Sequence, residues 1–470
     1  MIRIYNTLSR QKEVFQPIEE GKVWMYVCGP TVYNYIHVGN GRSTVAFDTI
    51  RRYLEYRGYA VHYVSNVTDV DDKIIRVAKE LGMTAPEVAN KFIAAFTEDS
   101  TALQVKPADL QPRVMDHIPD ILSFIAVLIE KGYAYAVDGD VYYRTRKFHH
   151  YGQLSDQSID ELEVGASQRT GDEQQIKEDP LDFALWKKTN DGGITWDSPW
   201  GVGRPGWHIE CSVMATKHLG ETIDIHGGGQ DLAFPHHENE IAQSEAKTGK
   251  TFANYWMHNG FVTIGEIDEK MSKSLGNFVT VHELVQQHDP QILRFFLAAT
   301  HYRRPLRFSQ TSFKEAETNL ARLRTTYENA RFRLKDAVES LADDETFLAL
   351  WEQLIALFIQ EMDDDFNAAN GMTVIYEMAK KINVYSQKER VSSVVLERVL
   401  AEFSELLTIF GIYFEQKELI DDEIEALIVE RNQARLAKNF ARSDEIRDLF
   451  KEQGIVLEDT PQGTRWRREK

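Results

Sequence analysis

Val23–Val27 is an unbroken apolar run that reads as a short buried strand. From Thr44 to Arg57 the apolar residues recur at helical spacing, with Ala46, Ile50, Tyr53 and Leu54 on one face. Ser43 is placed to cap that helix and Gly58 to stop it. Ala60–Val64 is a second strand. Strand, helix and strand within about 42 residues predict a parallel βαβ unit, the seed of a nucleotide-binding, Rossmann-like α/β sheet. The pattern then changes. Helical (Ile118–Lys131), strand-like (Asp140–Thr145) and polar (Ser155–Asp179) stretches alternate, as expected of an insertion that splits the sheet. Strand signals return at Thr222–His226, followed by a glycine-rich loop. A helix is predicted from Pro235 to Thr248, before Gly249, and another strand at Tyr255–His258.

From Ser312 to Phe414 the pattern is helical, with almost no glycine or proline, which predicts a helix bundle. The tail differs again. A helix ends near Gly454, and IVLED, a TPQG turn and TRWRRE follow, the pattern of a small α/β module. The expected organisation is a parallel-sheet domain in two halves, 1–112 and 205–257, around an insertion at 113–204. A linking region at 258–311, a bundle at 312–415 and the C-terminal module at 416–470 complete the chain.

Composition narrows the function classes. With 43% hydrophobic and 27% charged residues, the 470-residue chain can bury full cores. Two cysteines, Cys28 and Cys211, cannot build a disulfide framework. The N-terminal stretch lacks an apolar signal core, and no apolar run is long enough to span a bilayer, so the expected compartment is the cytoplasm, with no membrane partner. The 54 Lys and Arg against 73 Asp and Glu give a net charge of −19, which argues against a general polyanion binder. The charge is segregated, however. Residues 301–335 hold nine basic and three acidic residues, a net of +6, whereas 336–365 hold ten acids and no Lys or Arg. Each stretch is either a solvated helix face or a local docking strip.

Three clusters carry candidate chemistry. Cys28 and Cys211 fall at or beside sheet elements, and His236 and Glu240, four apart, share a helix face. Two thiolates, an imidazole and a carboxylate would suit Zn²⁺, although each residue alone is equally at home in a core or a surface turn. The run is not H-E-x-x-H, since Ile241 stands where the second histidine would be, so a zincin protease is disfavoured. His37-Val38-Gly39-Asn40 lies between the first strand and first helix, where such sheets meet phosphate. Gly39 would allow close approach, and His37 and Asn40 would donate to phosphate oxygens. Lys270 and Lys273, in KMSKS, could neutralise a departing pyrophosphate; a mobile charged loop is the plain alternative. Gly227, Gly228 and Gly229, with Asp231 after them, are either a nucleoside-binding loop or a tight turn. No Walker A pattern is present.

HVGN followed by KMSKS resembles the class I aminoacyl-tRNA synthetases. The longer strings CGPTVYNYIHVGN, SNVTDVDDKI, GWHIECSVMA, DIHGGGQDLAFPHHENEIAQ and KMSKSLGNF are similar to the cysteinyl-tRNA synthetases over nearly the whole chain. Asn40 departs from the general class signature, which has His there, but agrees with the cysteine-specific branch. The resemblance implies Zn²⁺ on Cys28, Cys211, His236 and Glu240, and catalysis by His37, Asn40, Lys270 and Lys273. ATP, with Mg²⁺, would be bound by Gly39, Gly228, Gly229, Asp231 and Lys273. Gly29, Thr31, Thr68, Trp207 and Asp231 would line an L-cysteine pocket. Cysteine would be activated as an adenylate and passed to tRNA(Cys) by a monomer. The zinc would reward the substrate's soft sulfur over serine's oxygen, the sulfur joining as a fifth ligand or replacing a long Glu240 bond. The tail would be an anticodon-binding module in which Phe440 stacks on a base, Asp444 and Asp459 accept from base edges, and Arg465, Trp466 and Arg467 grip backbone. A paralogous ligase that delivers cysteine to an amino sugar is the rival, and it would not need such a module.

Overall fold

The structure is a computed structural model. It describes residues 1–158, 176–189, 193–265, 269–270, 279–414, 422–437, 439–452, 455–460 and 463–468. The chain divides into two compact units. One comprises Met1–Arg322, Glu352–Glu377 and Glu405–Ile412; the other comprises Leu323–Trp351, Met378–Ser404 and Tyr413–Lys470.

At the centre of the first unit is a four-stranded, wholly parallel sheet. Its strands are β1 (Lys22–Val27), β2 (Ala60–Ser65), β3 (Ile223–Gly229) and β4 (Ala253–Asn259), in the spatial order β4-β3-β1-β2. Val23, Met25, Tyr26 and Val27 on β1, and Ile223 and Ile225 on β3, are buried, as the covered faces of a parallel sheet require. A separate antiparallel sheet of four strands, in sequential order from Ala134 to Pro205, lies between β2 and β3 in sequence. It is the physical form of the interrupted pattern.

Helix α1 (Val38–Tyr56) connects β1 to β2. It starts six residues before the predicted Thr44, so Ser43 lies inside it and His37 is its cap. The predicted start follows helix propensity, which penalises Gly39 and Gly41. Tertiary packing reverses this at Gly41, where a Cβ would stand 2.9 Å from a methyl of Val281. The glycine run after Thr222 is likewise not a loop. Gly227, Gly228 and Gly229 are the last residues of β3, and a Cβ on Gly227 would strike the Phe47 ring at 2.3 Å. The predicted helix at Pro235 is entered through a helical turn over Ala233–His237, broken at Phe234, which is extended (φ −138°, ψ 134°); the regular helix α4 covers Glu238–Thr248. Between β3 and the antiparallel sheet stands α3 (Trp207–Leu219), and after β2 comes α2 (Ala85–Ala102).

The helical region comprises Gln310–Arg333, Asp344–Asp363, Ala368–Ser386 and Ser393–Ile409. Part of its acidic stretch is committed inside the first unit: Asp363 binds the Met1 ammonium and Tyr53, Asp364 binds Lys12, and Asp365 binds Tyr302 and Arg303. In the second unit, helices Asp422–Leu436 and Phe440–Glu452 precede an antiparallel hairpin, Ile455–Thr460 with Gly463–Arg468. Ile424, Ile428, Ile446, Phe450 and Ile455 form its core.

Candidate active site

A cavity of about 600 Å³ opens at the carboxyl ends of β1 and β3, where open α/β sheets place their ligands. It gathers residues that are far apart in sequence: Cys28, Gly29 and Thr31 after β1, His37, Gly39 and Asn40 at the head of α1, and Thr68 after β2. Trp207, Cys211, Gly229, Asp231 and His236 complete the set. Two walls touch through strand-like pairing, since Thr31 lies opposite Thr68, and Val32 N–H donates to the Thr68 carbonyl at 3.1 Å. Gly29 is required by packing, because a Cβ there would fall 1.6 Å from the Asn66 carbonyl oxygen.

At the floor, Cys28 Sγ lies 3.6 Å from Cys211 Sγ and 3.5 Å from Glu240 Oε1. His236 Nε2 lies 3.1 Å from the same Glu240 oxygen. All four ligand atoms fall within 4.8 Å of one another. A tetrahedral ion with ordinary Zn–S, Zn–N and Zn–O lengths would separate its ligands by about 3.8 Å (S to S), 3.6 Å (S to O) and 3.4 Å (N to O). The donor set fits zinc on chemistry as well. Burial, with Cys211 and Glu240 alongside, pushes the Cys28 thiol well above its ordinary pKa, and burial pushes His236 well below its own. Two sulfurs and a carboxylate packed this closely, away from water, call for a compensating cation.

A second combination, Cys28, His226, His237 and Glu240, meets the same distance criterion. It offers one sulfur instead of two. In it, His226 Nε2 lies 2.8 Å from Glu240 Oε2 and His237 Nδ1 lies 2.8 Å from His258 Nε2, while His226 Nδ1 and His237 Nε2 have no hydrogen-bond partner among the described residues. We therefore assign His226 as the group that orients the Glu240 carboxylate, leaving Oε1 turned toward Cys28 and His236. His208 completes the surround, its Nδ1 3.0 Å from that of His236 and its pKa lowered to about 3 by burial. Sequence reasoning missed His208 and His226, although both lie within the motif strings. The available signal for His226 was a polar residue in a buried strand, a signal it shares with Asp224 two positions earlier.

The nucleotide end is built by a capping box. His37 Nδ1 accepts from the Asn40 backbone N–H at 3.2 Å, and Asn40 Oδ1 accepts from the His37 N–H at 3.3 Å. Each side chain thus uses its acceptor to close the helix. The proton of the neutral His37 ring is then on Nε2, and the Asn40 amide keeps its NH₂ donors. These side chains stand at a helix N-terminus, where the dipole favours an anion; the Val38 and Asn40 backbone N–H groups are themselves taken, by the Val279 carbonyl and His37 Nδ1. Gly228 does not line the cavity but is held tightly, with a Cβ position 2.9 Å from the His237 ring; at Gly229 the close neighbour is Asp231 Oδ1, at 2.5 Å. Lys270 is placed only as backbone, paired with Thr263, and Lys273 lies outside the described residues.

Around the remaining wall, Trp207 is 42% exposed and stacks on His236 with centroids 4.3 Å apart. Thr68 Oγ1 donates to Glu210 Oε2 at 3.3 Å. Glu210, also absent from the sequence reading, is buried, and that burial, together with Asp71 and Asp69, pushes its carboxyl well up.

In the second unit, Phe440 opens its helix at 62% exposure. Asp444 and Arg467 are also exposed. Asp459, however, is held by Arg431, Arg435 and Thr464. Arg465 hydrogen-bonds Asn329 and lies over the Phe332 ring, and Trp466 packs on the hairpin core.

Known proteins place this geometry. Residues 14–318 match the model of the class I (C) tRNA synthetase catalytic domain, 357–415 the DALR domain, and 418–467 the cysteinyl-tRNA ligase anticodon binding domain. The chain belongs to the cysteinyl-tRNA synthetase family. It is 72% identical over 468 residues to the cysteine–tRNA ligase of Enterococcus faecalis, covering 100% of both chains. It is 63% identical to that of Ligilactobacillus salivarius, again over 100% of both. Among solved structures, methionyl-tRNA synthetase of Mycobacterium tuberculosis shares the fold, with a TM-score of 0.59 at 15% identity, covering 83% of this chain and 89% of that one. A leucyl-tRNA synthetase of Agrobacterium radiobacter in a tRNA complex gives a TM-score of 0.60 at 12% identity, covering 85% and 86%. Family membership makes the rest of the cavity intelligible as a class I synthetase site.

Proposed function

We propose that the chain joins L-cysteine to tRNA(Cys) with ATP, through a cysteinyl-adenylate, and that zinc on Cys28, Cys211, His236 and Glu240 selects the amino acid. The observation that carries this reading is the meeting of those four ligand atoms, within 4.8 Å, in the cavity that also holds His37 and Asn40. In the first step the cysteine carboxylate attacks the α-phosphorus of Mg²⁺-bound ATP and pyrophosphate leaves. His37 Nε2–H and the Asn40 amide donate to the oxygens that gain charge, supported by Lys270 and Lys273 at the pyrophosphate. No protein nucleophile is needed, because positioning and electrostatics suffice. In the second step a ribose hydroxyl of the terminal adenosine attacks the acyl carbon and AMP leaves.

Thr31, Thr68, Gly29 and Asp231 hold the amino acid, and Trp207 covers it. Gly39 and Gly229 let backbone approach the nucleotide, and Gly228 lets β3 pack against the His237 ring behind it. Zinc, when bound, supplies a soft cation that favours a thiolate and discriminates against a hydroxyl. A hydrophobic pocket alone separates such near-isosteres by only about 10²-fold.

In the C-terminal module, Phe440 stacks on a base, Asp444 accepts from a base edge, and Arg467 meets phosphate. Asp459, Arg465 and Trp466 shape the surface that presents them. Removing residues 416–470 should leave cysteine-dependent pyrophosphate exchange in place and raise the KM for tRNA. The matched anticodon-binding model favours tRNA over an amino-sugar acceptor. We propose that the chain acts as a monomer. Among the described residues, no helix is long and apolar enough to cross a membrane; we place the enzyme in the cytoplasm with its tRNA.

The test joins metal content to pyrophosphate exchange, measured with cysteine and with serine. Cys28→Ala and His236→Ala should each lose zinc and cysteine-over-serine selectivity together. Retention of both by either variant would refute the zinc reading. Acylation of tRNA(Cys) measured against an amino-sugar acceptor decides the second substrate.

A further inference from the structure

The short helix α5 (Val281–Gln287) is joined to the site by contacts that the reaction chemistry does not use. Val38 N–H donates to the Val279 carbonyl at 3.1 Å, and Val281 N–H donates to the Ile36 carbonyl at 2.9 Å. These two bonds bracket His37, which pairs across to Thr280. Thr280 in turn caps α5 in a box with Glu283. His282 follows, and its ring stacks on Tyr35 with centroids 4.1 Å apart and planes at 17°. His282 Nδ1 lies 2.9 Å from Asp99 Oδ1, and its Nε2 lies 2.8 Å from the Gln286 side-chain nitrogen. The amide N–H can only donate, so the neutral ring carries its proton on Nδ1 and gives it to Asp99.

Asp99, on α2, is fully buried, and its Oδ2 has no hydrogen-bond partner among the described residues. Burying a carboxylate with so little compensation is costly and calls for a reason. Tyr35 is wedged between the His282 ring and the edge of Phe92, with centroids 5.5 Å apart for the latter pair. It stands two residues before His37.

We propose that Asp99, His282 and Tyr35 form a positioning clamp that fixes the backbone on both sides of His37, and so aims the His37 and Asn40 donors at the reacting phosphate. None of the three needs to touch the reacting atoms. The inference rests on the role given above to His37 and Asn40.

The test is cysteine-dependent pyrophosphate exchange by the full chain, expressed per titrated active site. His282→Leu and Asp99→Leu should lower kcat by about 10- to 100-fold, the size expected of a small misplacement. The cysteine KM should stay within roughly threefold, because the amino-acid pocket is untouched. Asp99→Asn keeps an acceptor for His282 and should stay within roughly threefold of the parent. Should a buried variant not fold, Tyr35→Leu at the cavity wall carries the same test. The deciding arm is the double variant. In a His37→Ala background, His282→Leu should cost less than about threefold more, because the clamp acts through His37. Losses that multiply in the double variant, or unchanged kcat in the single ones, overturn the clamp. An unimpaired His37→Ala overturns the reading beneath it, and the clamp falls with it.

Discussion

The floor of the cavity and the C-terminal hairpin module handle charged groups in opposite ways. At the floor, Cys211, His236 and Glu240 are 1%, 1% and 0% exposed. They come from segments far apart in sequence and crowd against one another. In the hairpin module, Asp459 pairs with Arg431 and Arg435, and its own side chain is 43% exposed. Desolvation is the difference. At the floor each group depends on its neighbours, so removing one leaves the rest buried and uncompensated. At the hairpin, Arg431 is buried but Asp459 and Arg435 are half exposed, so water and salt screen the cluster and the loss of Asp459 is small. The site that must tell sulfur from oxygen is built in the first manner, and the surface proposed to meet a large polyanion in the second.

The largest effect is expected from Cys211→Ala. It should abolish zinc binding, measured by metal analysis, and reduce cysteine-over-serine discrimination to about 10²-fold or less, the limit of shape alone. Next, His37→Ala removes one preorganised donor and should lower kcat for pyrophosphate exchange by about 10²- to 10³-fold while the protein still binds zinc. An equal loss of zinc would mean that the two ends of the cavity are not separable.

The hairpin offers the weaker contrasts. The hydrogen bonds from Arg431, with Thr464 and Arg435 adding to them, hold the Asp459 carboxyl below the ordinary carboxylate range. Its folded pKa is depressed, so its contribution is complete above the unfolded value of about 4 and is lost as pH falls through the folded one. Exposure limits that contribution to about 1 kcal/mol or less. Asp459→Ala should therefore lower the module's stability by about 1 kcal/mol or less at neutral pH and leave it unchanged at strongly acid pH, flattening the acid limb of the unfolding curve followed by circular dichroism. Smallest of all, Arg467→Ala should raise the tRNA KM a few-fold and lower the salt slope of binding by about one, with pyrophosphate exchange unchanged. A large effect on exchange would show that the hairpin is not independent of the site.

Much of the architecture was legible from pattern. The strands at 22–27, 60–65 and 253–259 and the helix at 118–130 arise where local period and burial agree; the helix at 207–219 was not anticipated. The failures at glycine share one cause. Gly41 inside α1 and Gly227 and Gly228 at the end of β3 are required by close approach to Val281, Phe47 and the ring of His237, which local propensity does not register. The site followed the same division. Motif strings pointed to Cys28, Cys211, His236 and Glu240, but not to His226, whose imidazole orients Glu240, nor to Asp99 and His282. These act through a neighbour, and a contact between distant segments leaves no mark on local spacing.

By itself, then, the sequence determined the βαβ seed, the interrupting insertion, the sulfur, imidazole and carboxylate candidates for a metal, and the family. Only the tertiary structure decided that two cysteines 183 positions apart lie 3.6 Å from each other. It also decided that His37 and Asn40 use their acceptors on the helix end, and that His226 lies against Glu240. Residue type and period encode which face of an element is apolar. Desolvation, tautomer and close approach are relations between elements, and they exist only once the chain has packed.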